Sequence, residues 1–281
     1  MPITPETWKV LHADLHNRAL SGSSRLHFAA DKGVATALNG DLGSRHFELV
    51  SCASTSQLTL GAYTVTVVSG GANYSYPGVA TMSGPGYQGA WISWSNGAAA
   101  GSAVALYWNA ANTPGDGAGN DGFTMAFRCF LAQASTGSGA RAFFGVMAAT
   151  PTGSNVEPST QINCIGLAKL STDETQYYLV YGGTTAQAAI PTGISVLQSY
   201  NFRGGTVFDL VITCDPYEAN TYRVHVEQVN GSSSFDTVLT GGSAVVPQNG
   251  TLLRPALWNN NNALTQALYS GIFHIYTVRP R

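Results

Sequence analysis

The residues with the clearest binding chemistry lie near the C-terminus, where Trp258 is followed by four asparagines at positions 259–262. An indole face can stack on a sugar ring, and carboxamide groups hydrogen-bond to hydroxyls. Four consecutive amides are not typical of a core, so we expect this cluster to lie in a loop outside it. The candidate ligand-binding residues are therefore Trp258, Asn259, Asn260 and Asn261. Core packing is the alternative role for the tryptophan.

A second group of candidate ligands lies in the glycine-rich segment Gly115–Phe123, which reads GDGAGNDGF. Asp116, Asn120 and Asp121 offer oxygen atoms of the kind that bind Ca²⁺, and the glycine spacing matches one turn of a calcium-binding nonapeptide repeat. Such repeats hold calcium by stacking many copies, and this chain has one copy. We therefore expect a plain turn here and no metal site.

Catalytic motifs are not evident. Hydrolysis of a glycosidic bond needs two carboxylates that flank it, and the chain has only 15 Asp and Glu residues. We expect the acidic residues of the C-terminal half in loops or on outward-facing positions: Asp173, Glu174, Asp215, Glu218, Glu227 and Asp236. Gly-x-Ser-x-Gly and the P-loop motif are absent from the sequence, and no Gly-x-Gly-x-x-Gly follows a predicted strand and opens a helix. We expect no enzyme activity, with a carboxylate pair from distant loops as the open alternative.

Histidine and cysteine spacing gives no metal site either. His12 and His16 are four residues apart on a predicted helix, but no glutamate motif accompanies them, so a solvated face is expected. The four cysteines form no Cys-x-x-Cys pair: Cys52, Cys129, Cys164 and Cys214. Cys129 and Cys214 lie in apolar runs, which is typical of small buried hydrophobic residues. No cofactor and no metal are expected.

Composition excludes several partners. The formal net charge of -2, with scattered basic residues, gives no electrostatic basis for binding nucleic acid. No apolar run approaches the ~18 residues of a membrane-spanning helix. The N-terminus lacks the apolar core of a secretory signal. Charged residues make up 10% of the chain, which also has 32 glycines and 13 tyrosines. This composition is typical of a β-rich protein with many tight turns.

The elements that must position these residues begin with the segment Phe123–Ala148. Alternate residues form an apolar face on its first strand: Phe123, Met125, Phe127, Cys129 and Leu131. Turn-forming residues follow at Ser135–Gly139, and a second apolar run starts at Arg141. The pattern predicts a β-hairpin whose apolar face is buried against another sheet, because a lone hairpin is only marginally stable.

Later segments also predict strands. The apolar run 208–215 predicts a central strand, and residues 221–229 alternate with Val224 facing inward. We predict that Phe127, Val211 and Val224 lie in one core. From residue 57 onward the pattern indicates about ten strands and no convincing helix, which is typical of an antiparallel sandwich or jelly roll.

The N-terminal part differs from the rest. Residues 4–20 predict one short amphipathic helix, with Thr4 as cap and Pro5 in the first turn. We predict an attachment or oligomerisation region at 1–56, a β-rich region at 57–115 and a β-sandwich domain at 116–281.

A resemblance to a known family is carried by the segment 141–183. It contains a Phe-Phe-Gly strand at 143–145, an Asn-x-Glu-Pro-Ser-Thr loop at 155–160, an Asn-x-Ile-Gly strand at 163–166 and a strand ending in Tyr-Gly-Gly at 183. This stretch resembles one that recurs in bacteriophage tail-fibre and other virion proteins. The Leu-x-Pro-x-x-Trp segment from Leu253 resembles the same family.

The resemblance implies a concanavalin-A-like or LamG-like sandwich in a virion structural protein, assembled in the host cytoplasm. We expect a tail-fibre or tail-tip component that contacts host-surface glycan, forms a homotrimer and binds other virion proteins. A capsid decoration or baseplate protein without a receptor, and a polysaccharide depolymerase, are the alternatives. The resemblance assigns no function to individual residues.

Overall fold

The structure is a computed structural model that describes residues 45–48, 59–60, 63–69, 73–75, 92–95, 99–108, 111–132, 139–151, 156–196, 206–228, 232–263 and 268–278. The helix predicted at residues 4–20, with His12 and His16, lies outside these ranges, and so does Cys52. Within the ranges, no helix has the length and apolar character needed to cross a membrane.

The described residues form a β structure with one 3-10 turn. The strands in chain order are β1 (Arg45–Glu48), β2 (Thr59–Leu60), β3 (Tyr63–Ser69), β4 (Asn73–Ser75), β5 (Ile92–Ser95), β6 (Ala103–Trp108), β7 (Phe123–Ala132), β8 (Arg141–Met147), β9 (Cys164–Lys169), β10 (Gln176–Gly182), β11 (Ile190–Ser195), β12 (Thr206–Cys214), β13 (Thr221–Gln228), β14 (Ser234–Thr240), β15 (Arg254–Asn260) and β16 (Tyr269–Val278). A short 3-10 helix at Pro158–Thr160 lies between β8 and β9.

These strands form two eight-stranded sheets. The first sheet has the order β14-β13-β12-β7-β16-β5-β4, and β1 also pairs with β16. The second sheet has the order β11-β10-β9-β8-β15-β6-β3-β2. The pairs that flank the core strands are antiparallel, such as β7 with β12 and β8 with β15. The predicted antiparallel sandwich is therefore confirmed.

The main core lies between the two sheets. The alternating face predicted for β7 is buried there from Phe123 to Cys129. Phe144 of β8 meets Phe208 of β12 across the core, with ring centroids 5.1 Å apart in an edge-on arrangement. Each such side chain stabilises the fold by about 1.5–3 kcal/mol through removal of apolar surface from water. This core holds the sheets together.

Phe127 and Val224 lie in the main core as predicted, but the placement of Val211 is wrong. Val211 is buried on the opposite face of the first sheet, because its neighbours Leu210 and Ile212 point into the core and successive side chains alternate. The run from 208 to 214 is apolar on both faces, so its sequence does not reveal which face points inward.

The predicted hairpin of β7 and β8 is also wrong. β7 pairs with β12 and β16 in the first sheet, whereas β8 pairs with β9 and β15 in the second. The chain therefore passes from one sheet to the other between these strands. Both runs are apolar enough to be central strands, and each needs two neighbours that are distant in sequence.

The second sheet is buried on its outer face as well. Phe143, Met147, Val180 and Trp258 belong to an apolar cluster on that face. The 3-10 helix packs against β8, β9 and β10, with Pro158 buried. Strands of this sheet therefore bury side chains on both sides, which removes the alternation that marks a half-exposed strand.

Strands from all three predicted regions take part in the same two sheets. β1 lies within 1–56 and pairs with β16, while β6 lies within 57–115 and pairs with β15. The division of the chain at residues 56 and 115 stays a prediction.

Candidate functional site

The structure places the predicted ligand cluster inside the protein. Trp258 is 3% exposed, and Asn259, Asn260 and Asn261 are 0% exposed. Trp258 to Asn260 form the end of β15, which is a central strand between β8 and β6. The expectation of a loop outside the core is wrong for Trp258, Asn259 and Asn260, because these residues pair with β8 on one side and β6 on the other. Asn261 directly follows β15 and is buried there.

Trp258 packs in the apolar cluster on the outer face of the second sheet. Its indole lies nearly parallel to the ring of Phe143, with an interplanar angle of 18° and centroids 6.3 Å apart. The indole is thus engaged by the protein's own side chains. It offers no exposed face on which a sugar ring could stack.

The asparagines bind the protein's own backbone and side chains. We call Asn259–Asn262 the amide clamp. Its side-chain hydrogen bonds run from Asn259 Nδ2 to Ser270 Oγ (2.7 Å), from Asn260 Nδ2 to Gly101 O (3.4 Å), from Asn261 Nδ2 to Ala99 O (2.7 Å), from Asn262 Nδ2 to Gly139 O (3.1 Å), and from Asn262 N to Asn260 Oδ1 (2.6 Å). The clamp ties the end of β15 to two loops and to β16.

Glu157 lies in the Asn-x-Glu-Pro-Ser-Thr loop that resembles virion proteins, and its contacts also serve the fold. Its carboxylate accepts hydrogen bonds from Arg141 Nε (2.8 Å) and from Ser171 N and Oγ (2.9 and 2.6 Å). These bonds fasten the connection between β8 and β9 at the far end of both strands. The motif thus stabilises the fold and presents no free carboxylate.

A charged group lies on the outer face of the first sheet. Arg128 and Asp209 form a two-point ion pair, with Nε–Oδ1 and Nη2–Oδ2 distances of 2.7 and 2.5 Å. His225 Nδ1 lies 2.8 Å from Asp236 Oδ1. Burial raises the pKa of Asp209, and the hydrogen bonds from Arg128 oppose that rise. Arg128, Asp209 and His225 are all under 7% exposed, so the group joins strands and does not face a ligand.

The exposed candidate site lies where β12 ends and β13 begins. Two loops meet there, which we call the glycine loop (Gly115–Gly122) and the tyrosine turn (Asp215–Asn220). The backbone amides of Gly117 and Gly119 both donate to the carbonyl oxygen of Pro216, at 3.1 and 2.9 Å. The two loops therefore form one unit, which we call the loop pair.

The glycines of the loop pair are needed for this close packing. A Cβ on Gly115 would lie 2.3 Å from the carbonyl oxygen of Asp215. Gly119 has a φ of +92°, and a Cβ there would lie 2.6 Å from Cε1 of Tyr217. The ring of Tyr217 thus lies directly on the backbone of the glycine loop, and that backbone fixes the position of the ring.

Asp116 stabilises the glycine loop from within. Its carboxylate accepts hydrogen bonds from the backbone amides of Ala118 and Asn120 and from Asn120 Nδ2, at 2.8, 3.2 and 2.7 Å. The bond from the Asn120 side chain is the largest cause that lowers the pKa of Asp116. Across the described ranges, no group of three His, Cys, Asp or Glu side chains is placed to hold a metal ion.

Tyr217 is the aromatic residue of the loop pair. Among the aromatic side chains whose burial the structure describes, the others are buried or pack against one of the two apolar clusters, whereas Tyr217 is half-buried and belongs to neither. Asn120 and Asp121 are exposed beside it in the glycine loop. Glu218, the next residue, pairs with Arg223 Nη2 through both carboxylate oxygens at 3.0 and 2.8 Å.

The sequence interpretation named Asn120 and Asp121 only as possible calcium ligands, and it missed Tyr217. One signal was available, since Tyr217 follows Asp-Pro directly after a strand, where turns are common. The contact between Tyr217 and Gly119 joins residues about a hundred positions apart, and no local pattern reveals it.

Comparison with known proteins identifies the fold of this chain. No protein-family model matches the chain, and no curated protein matches it. Among solved structures it is similar to the lectin UEA-II complexed with galactose, with 13% identity and a TM-score of 0.51 over 85% of this chain and 100% of that chain. The same values hold for lectin II from Ulex europaeus.

Two further structures have the same TM-score of 0.51. Peanut lectin with a nine-residue peptide is 11% identical, over 84% of this chain and 97% of that chain. A protein of unknown function from Shewanella oneidensis MR-1 is 11% identical, over 88% of this chain and 93% of that chain. The chain therefore has a lectin-like, concanavalin-A-like β-sandwich fold, as predicted.

Proposed function

We propose that this protein binds glycan through its sandwich, as a non-enzymatic tail-fibre or tail-tip component of a bacteriophage virion. The observation that carries the proposal is the likeness of the whole sandwich to a lectin complexed with galactose, over 85% of this chain and all of that one. A sandwich that holds exposed loops on rigid sheets is suited to recognition.

The virion role rests on the sequence resemblance of residues 141–183 and 253–260. Assembly in the host cytoplasm, a homotrimeric state and contacts with other virion proteins belong to the same proposal. Low charge, at 10% of residues, leaves little repulsion between copies. Light scattering of the purified chain tests the oligomer: a mass of three chains is expected, and a monomer contradicts it.

The glycan function is tested by applying the purified chain to a printed array of bacterial surface polysaccharides and defined oligosaccharides. Binding to a subset of sugars, without release of reducing ends, is expected. An absence of binding across the array contradicts the proposal, and release of reducing ends points instead to a depolymerase.

A purely structural role, as a capsid decoration or baseplate protein, is the second candidate. The burial of Trp258 and of the amide clamp favours it, because the residues with the clearest sugar-binding chemistry in the sequence serve the fold. An array without binding, together with incorporation of the chain into virions, is the outcome this candidate predicts.

A further inference from the structure

The loop pair combines three features of a sugar-binding surface: an accessible aromatic ring, polar side chains beside it and a fixed backbone. Tyr217 is half-buried and separate from both apolar clusters. Within the described part of the chain, no hydrogen bond engages its hydroxyl, and the exposed part of the ring is open to a ligand.

The polar side chains lie next to the residue on which the ring rests. Asn120 follows Gly119 directly, and its Nδ2 is held by Asp116 at 2.7 Å, which orients its Oδ1. Asp121 is exposed, and its φ of +60° keeps it in the left-handed region. The carboxamide of Asn120, which Asp116 holds, and the exposed carboxylate of Asp121 accept hydrogen bonds from neighbouring sugar hydroxyls.

The loop pair is also rigid before any ligand arrives. Pro216 O binds two amides of the glycine loop, and Tyr217 N donates to Asp215 Oδ1 at 2.8 Å. A surface that is already ordered loses little conformational entropy on binding, so modest contacts yield measurable affinity.

The charges of the loop pair restrict the ligand. Asp116, Asp121 and Glu218 are acidic, and the nearby Arg223 is engaged by Glu218. The surface therefore carries net negative charge, which repels sialic-acid and uronic-acid groups. Uncharged sugars meet no such repulsion.

We propose that the loop pair is the glycan-binding site, in which the ring of Tyr217 stacks on an uncharged hexopyranose while Asn120 and Asp121 hydrogen-bond to its hydroxyls. The inference rests on the proposed glycan function and assigns it to a place in the fold. It replaces Trp258 and the amide clamp as the location of that function.

The test is an isothermal titration with the neutral oligosaccharide that binds best on the array. Tyr217→Ala removes the stacking surface, and Tyr217→Phe keeps it. Asp121→Gly removes the carboxylate while glycine retains the left-handed backbone. Leu252→Ala is the control, because this exposed apolar residue lies in a different loop, between β14 and β15.

We expect Tyr217→Ala to weaken binding about fivefold to tenfold, since an aromatic contact of this kind corresponds to such a ratio. We expect Asp121→Gly to weaken it by about tenfold. Tyr217→Phe and Leu252→Ala should stay within about twofold of the wild type. Thermal melting of each variant confirms that the fold is intact.

The outcomes separate the site from the function. If the wild type binds neutral sugars and both Tyr217→Ala and Asp121→Gly bind equally well, the site is elsewhere and the glycan function stands. A wild type that binds only acidic sugars overturns the ligand class. A wild type that binds no sugar overturns both the site and the proposed function.

Discussion

Two regions of the sandwich combine an aromatic ring with amide side chains, and they use them in opposite ways. In the amide clamp, the asparagine side chains bond to carbonyl oxygens of the chain itself, and the adjacent Trp258 is 3% exposed. In the loop pair, Asn120 and Asp121 are exposed and Tyr217 is half-buried. Residue type alone therefore does not identify a binding site. A binding site is identified by whether solvent reaches its side chains and whether those side chains already bind other groups of the protein.

The largest difference between the regions should appear on removal of each aromatic side chain. Trp258→Ala should lower the free energy of unfolding by about 3–5 kcal/mol, because it opens a cavity under the outer face of the second sheet. Tyr217→Ala should lower it by about 1 kcal/mol or less, since part of the ring is already in water. Urea denaturation measures both, and equal losses would contradict the comparison.

Removal of single side-chain amides compares the same two regions through a smaller loss of stability. Asn261→Ala removes the donor to Ala99 O in a fully buried setting and should cost about 1–3 kcal/mol. Asn120→Ala, in the exposed glycine loop, should cost about 0.5–1 kcal/mol, because water replaces its bond to Asp116. If Asn120→Ala proves the more destabilising of the two, the amide clamp is not the structural element described above.

The contact between Gly119 and Tyr217 can be isolated with a matched glycine. Gly119→Ala and Gly193→Ala both place a side chain at positive φ, +92° and +71°, but only Gly119 has a ring within reach of the new Cβ. Gly193→Ala should cost about 1–2 kcal/mol from the backbone alone. Gly119→Ala should cost about 1 kcal/mol more and should also weaken glycan binding, because the ring must move. Equal stability of the two variants would contradict the ring contact.

A smaller effect concerns pH and the loop beside the amide clamp. The Thr175 hydroxyl, and after it the Tyr178 hydroxyl, hydrogen-bond to Asp173 and lower its pKa. A carboxyl whose pKa is lower in the folded protein contributes stability that is complete above its unfolded value of about 3.9 and is lost as pH falls below it. Asp173→Asn should therefore flatten the loss of stability between about pH 4 and pH 2. Parallel acid profiles for the variant and the wild type would show that these bonds do not matter.

The sequence predicted the fold class because the alternation of apolar and polar residues in β7 and β13 indicates which side chains face a core. It did not predict pairing: β7 and β8 are adjacent in the chain and lie in different sheets. Pairing depends on contacts between distant residues, such as the register of β7 with β12. Neighbouring apolar runs therefore do not establish a hairpin.

The candidate site was less predictable than the fold, for a related reason. Trp258 and its asparagines have sugar-binding chemistry, but their burial depends on the partners of β15 and on a second apolar cluster. Tyr217 has a modest sequence signal, and its position depends on a glycine loop distant in sequence. The exposure of a side chain depends on the tertiary structure. Residue type indicates only which ligands the side chain can bind if it is exposed.

The location of the glycan-binding site is tested most directly by a chemical-shift titration of the ¹⁵N-labelled chain with a neutral methyl hexopyranoside. We predict concentration-dependent shifts of the backbone amides of Gly117, Gly119 and Tyr217, together with unchanged amides for Asn259–Asn262. Shifts confined to the amide clamp, with none in the loop pair, would contradict this prediction.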